Sequence, residues 1–192
     1  MCAYFQISLK LTVVSNFIFT VDPTTAPELF MSMAHTPECD RALKTLAAGP
    51  ADPRVPLPPL DPRAVAAVAL RSLATLGSQQ LLSPEECATL IAPFLQSGND
   101  LVRVSVAMHL LNRLPERRRM PLQRLLRYLK RLASFSDTCT VPGLAQSVGL
   151  ALLQPERLPM GTGATNLTSA AVQCAALLIK CVLAFSLSLL TV

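Results

Sequence analysis

Between residues 61 and 153, leucine, valine and alanine recur every third or fourth place, and each run is halted by glycine or proline. That period is one face of an α-helix, not the alternation of a strand. Val65, Val68, Ala69, Leu73 and Leu76 form the first stripe, with Gly77 as a natural stop. Ser83-Pro84-Glu85-Glu86 opens the second. Serine caps, proline suits the first helical position, and Glu86 closes a capping box. The apolar face that follows is Cys87, Leu90, Ile91, Phe94 and Leu95. A third helix is predicted from about Asp100 to Arg113, with Leu101, Val104, Met108, Leu111 and Leu114 on one side and Pro115 ending it. A fourth is predicted to start near Pro121, turning Leu122, Leu125, Leu126, Leu129 and Leu132 inward. Gln123, Arg124, Arg127, Lys130 and Arg131 then fall on its wetted side. Residues 143–153 read as a fifth helix, short and almost wholly apolar. Helices with one stripe each, and no convincing strand pair, make an all-α bundle.

The flanks differ from this centre. Residues 47–62 (AAGPADPRVPLPPLDP) are dense in proline, which removes backbone donors and fixes φ, so they read as an extended connector. Residues 1–22 are apolar and β-branched, interrupted by Lys10. They lack the leading positive charge and the small-residue cleavage site of a signal peptide, which favours a strand or buried segment. At the other end, residues 170–192 carry Lys180 as their sole charge over 23 residues, long enough to cross a bilayer. A lysine near mid-membrane costs about 2.5–3.5 kcal/mol on an insertion scale, which favours a buried terminal helix or apolar tail over an anchor. The expected division is an N-terminal segment 1–46, a connector 47–62, a helical domain 61–179 and an apolar tail 180–192.

Charge and chemistry narrow the function. Lys plus Arg number 17 against 12 acids in 192 residues, a net +5, and the excess is concentrated between Arg113 and Arg131. Such a face suits an acidic partner or an anionic membrane surface. With 7 Phe, 2 Tyr and no Trp, the chain lacks the stacking platforms of a single-strand nucleic-acid binder, and no nucleic acid is expected. The 6 cysteines form no CxxC pair and there are 2 histidines, so no metal site or other cofactor is expected. Widely spaced cysteines of this kind read as reduced thiols in a cytoplasmic core. Gly161-Thr162-Gly163-Ala164 lacks a third glycine and a preceding strand, and no nucleophile motif pairs with His35 or His109.

The order and spacing of the helical motifs resemble the central and later part of a Rho GTPase-activating (RhoGAP) domain. Asp61-Pro62-Arg63-Ala64-Val65-Ala66 is similar to the family's aspartate, basic position and Val-Ala at a helix start. Leu73 to Gly77, then Ser83 to Glu86, resembles the next stretch. Leu114-Pro115 with Leu122, Leu125, Leu126 and Leu129 reproduces the family's leucine-proline and leucine spacing. Leu144-Ala145 with Gly149 and Leu152-Leu153 is similar to its following helix, and Val172 to Ile179 to its closing one. The resemblance is to a degenerate or partial domain, since the first 20 and last 13 residues do not fit.

The matched residues are packing residues, so the resemblance implies a RhoGAP-like helical bundle before it implies activity. It also implies a Rho-family small GTPase as partner, whose hydrolysis the family accelerates without turning over a substrate of its own. That acceleration, about 10³–10⁵-fold, comes from an arginine finger. The finger's loop falls on residues 18–23, which would put Thr20 where the arginine belongs. The family's helical lysine falls at Leu70 beside Arg71, its next arginine at Ala74, and its asparagines at Arg118 and Asp137. No catalytic residue is therefore assigned, and activation is expected to be weakened or lost. Arg71, Arg118, Arg124 and Arg127 are the expected partner-binding residues. The alternative is a helical scaffold or a membrane-associated protein held by its C-terminal apolar segment.

Overall fold

The computed structural model describes residues 61–76, 81–96, 99–135, 139–158 and 164–181, together with positions 37, 39, 40 and 44. Four helices come first: α1 (Pro62–Leu76), α2 (Pro84–Leu95), α3 (Asp100–Arg113) and α4 (Glu116–Phe135). A broken helix follows, made of α5 (Val141–Leu144), a π turn (Ala145–Gly149) and α6 (Leu150–Leu153). A 3-10 turn (Pro155–Arg157) leads to the last helix, α7 (Ala164–Cys181). The described residues contain no strand. The expected segment 1–46 and tail 180–192 lie almost wholly outside the described residues, as does the connector up to residue 60.

The helices begin where the sequence supplies caps. Ser83 Oγ accepts from the Glu86 amide at 3.2 Å while the Glu86 carboxylate accepts from the Ser83 amide at 2.6 Å, the expected capping box. Asn99 caps α3 through the Leu101 amide, and Thr140 caps α5 through that of Gly143. At the far end of the broken helix, Gln154 takes the left-handed conformation (φ 42°) that closes a helix, and Pro155 follows.

Three expectations need correction. The fourth helix starts at Glu116, one turn before Pro121. A proline six places into a helix deletes one bond, to the Arg117 carbonyl, and the leucine stripe behind it outweighs that loss. Gln123, expected on the wetted side, is 5% exposed, and Lys130 is half-buried. On α3, Leu101 is 76% exposed, while Ala107, Leu111 and Leu114 carry the burial. Leu101 stands in the first turn, beyond the reach of the neighbouring helices.

The centre of the bundle is α7, which packs on α2, α3, α4, α5, α6 and the π turn. It can do so because its inward positions are small: Ala170, Ala171, Cys174 and Ala175 are buried, with Leu178 and Ile179 closing the stripe. The closest approach is at Gly149, where an added methyl would overlap the Ala175 side chain. One face of residues 170–181 thus belongs to the core, and no helix of the described residues is long and apolar enough to cross a membrane. Gly149→Ala is expected to cost about 1–3 kcal/mol in urea unfolding. Ala175→Gly in the same chain should return part of that loss, because the clash rather than the glycine sets the cost.

Candidate functional site

The polar groups of the bundle gather where α2, α3 and the start of α4 meet. Glu86 sits in the first turn of α2 because the capping box needs it there. Its carboxylate also receives Arg118 of α4 in a bidentate pair, both N–O distances being 2.9 Å. Each side chain is about a quarter exposed, and the parallel geometry is the strong form of this pair. Ser83 donates to Glu85 at 2.7 Å, which holds that carboxyl below its ordinary value.

A second arginine locks α3 to α2. Arg103 donates to the Pro93 carbonyl at 3.3 Å, pairs with Asp100 at 2.9 Å and lies 4.8 Å above the Phe94 ring. Sequence reasoning passed over the Pro93 and Phe94 contacts, since neither residue stands at helical spacing from Arg103. Beside them an open cleft of about 550 Å³ is lined by Glu86, Thr89, Ser105, Val106, His109 and Arg113. His109 Nε2 lies 3.4 Å from the Arg113 guanidinium, on an exposed stretch of α3.

The four expected partner-binding arginines do not form one patch. Arg71 stands on α1, which packs on α6, and its side chain lies outside the described residues. Arg118 is engaged by Glu86. Arg124 and Arg127 lie on the exposed side of α4, which packs on α5 and α7. Leu70, aligned with the family's lysine, is 2% exposed and can present nothing to a partner. Ala74 lies on α1, its side chain outside the described residues, and Thr20 and Asp137 lie wholly outside them.

The remaining candidates are thiols. Cys39, Cys87, Cys139 and Cys174 are buried, and Cys181 is half-buried. Burial pushes the Cys87 thiol up to about 12, helped by Glu86 and Glu85, and raises Cys174 further with Cys87 nearby. Such thiols stay protonated and are poor nucleophiles. Among the described residues no three His, Cys, Asp or Glu groups are placed to hold a metal ion.

The crystal structure of the BH domain from GRAF, the GTPase regulator associated with focal adhesion kinase, superposes with a TM-score of 0.74. The match covers 92% of this chain and 94% of that one, at 18% identity. The fold is RhoGAP-like. At this identity the likeness bears on fold alone. No family model matches the chain. No curated protein matches it either.

Two measurements follow from this geometry. Glu86→Ala removes both the reciprocal cap and the partner of Arg118, and should lower stability by about 1–2 kcal/mol. Arg118→Ala removes the pair alone and should cost less than about 1 kcal/mol, both read from urea midpoints. Alkylation of the native protein at neutral pH, followed by peptide mapping, should label Cys181 ahead of Cys87 and Cys174, which react only on unfolding.

Proposed function

We propose that this chain is a RhoGAP-like regulator in small-GTPase signalling, one that binds a Rho-family GTPase and accelerates its hydrolysis weakly or not at all. The observation that carries this reading is the RhoGAP-like fold of a chain whose own helical motifs resemble that family. The proposed domain is 61–179, with Arg71, in the second half of α1, as a cation that meets the partner. The action is cytoplasmic, where small GTPases reside.

The weakness of activation rests on charge. Phosphoryl transfer builds negative charge on the γ-phosphate oxygens, and an arginine finger offsets it within a water-poor site. Threonine at position 20 has no charge and too short a reach to take that part. Arg118, one turn after the Leu-Pro pair, is already engaged in neutralising Glu86. A surface that binds without a finger lowers the ground and transition states of the bound GTPase alike and leaves the barrier between them where it was.

Single-turnover hydrolysis by a panel of Rho-family GTPases, with a capture assay on their GTP-loaded forms, tests both halves. The expected result is capture of at least one member with rates close to intrinsic. Arg71→Ala should weaken that capture about fivefold or more. Acceleration of about a thousandfold would overturn the missing finger. A folded protein that captures no member would overturn the partner.

A further inference from the structure

The outer side of α4 is arginine with apolar residues between. Arg117, Arg124, Arg127 and Arg131 are all exposed, and so are Met120 (38%) and Phe135 (62%). At about 100° per residue these six positions share one sector about 100° wide. The sector is about 27 Å long at 1.5 Å per residue. The buried leucines of α4 face the other way, so nothing in the core requires this stripe. Glu116 is the helix's sole carboxylate and stands at its first position. Lys130, at the margin, donates to the Lys180 carbonyl at 2.8 Å, which brings the exposed Lys180 at the end of α7 alongside.

Charge alone would suit any acidic surface. The two apolar side chains discriminate. Met120 and Phe135 lie about 22 Å apart along the helix, so a folded protein partner would need a separate pocket for each. A bilayer offers phosphate to every guanidinium and an acyl boundary to every apolar side chain, at all points of its plane. Long arginine stems let the charge stay at headgroup level while the helix lies close.

We propose that the exposed face of α4 docks on a bilayer surface containing anionic lipid. Arg117, Arg124, Arg127 and Arg131 meet the headgroups, and Met120 and Phe135 enter the acyl boundary. The helix lies on the membrane and crosses nothing, its leucine side staying on α5 and α7. Docking of this kind holds the bundle at the surface and is independent of whether α1 engages a GTPase.

The test is co-sedimentation of the full chain with phosphatidylcholine vesicles, with and without phosphatidylserine, at low and raised salt. Binding should require phosphatidylserine and fall as salt screens the charges. Each basic residue near the surface contributes about fivefold, so R124E/R131E should weaken binding by about 25-fold or more. R124K/R131K should retain it, and M120S/F135S should weaken it without removing the salt dependence. Helical signal and thermal midpoint of each variant confirm that the bundle is intact, as expected for exposed positions. No binding to phosphatidylserine vesicles, equal binding to neutral ones, or unchanged binding by R124E/R131E would overturn the proposal. So would an R124E/R131E chain that loses GTPase capture and keeps vesicle binding, which would give the face to a protein partner.

Discussion

The packing of α7 against the π turn sets the geometry of everything else. A central helix that touches most of its neighbours needs short side chains on its inward face, and the alanines and Cys174 supply them. At Gly149 even a methyl is too much. A π turn inserts one extra residue into a helical turn, and here it falls on the segment packed against α7, where Ala145, Val148 and Gly149 are buried together with Leu152 and Leu153. Loosen that contact and α2, α3 and α4 lose their common backing, because each of them rests on α7.

On that frame the arginines divide by task. Arg118 and Arg103 face inward to partners fixed by helix ends, the Glu86 of a capping box and the carbonyl of Pro93. Each converts a position imposed by local structure into a tie between helices. Those of the α4 stripe face outward. Exposed charge contributes little to stability, so the bundle does not depend on these residues. A guanidinium that finds a carboxylate 32 residues away in sequence ties two helices together.

Most of the helices could be read in the sequence because their signals are local. Ser83 and Glu86 announce a capping box within four residues, and the Leu122–Leu132 stripe announces a buried face within three turns. What could not be read depends on distance. Pro121 looks like a start when only its own chemistry is weighed, and the structure places it inside a helix that the core holds together. Leu101 fits the stripe of α3 by period, yet no neighbour extends far enough to cover it. Gln123 fits the polar side by type but lies against the bundle. Of the candidate site, the basic side of α4 was legible as a run of charge. The engagement of Arg118 by Glu86 was not, since a pair 32 residues apart has no signature in spacing.

The relation between fold and activity follows from the same division. Helix spacing, caps and small residues at close approaches are distributed over more than a hundred positions, and each tolerates a swap among apolar residues of similar volume. A charge-offsetting site for phosphoryl transfer rests on a few polar side chains that tolerate none. A chain can therefore drift far in identity and keep the bundle, while one substitution at the finger removes the rate enhancement. What survives such a loss is surface: the outline of the helices and the charges they carry outward. Here that surface has its strongest feature on α4, on the side that the core does not use. The RhoGAP-like frame places that basic, partly apolar face in a fixed relation to α1, so a partner held at one site is oriented with respect to whatever the other holds.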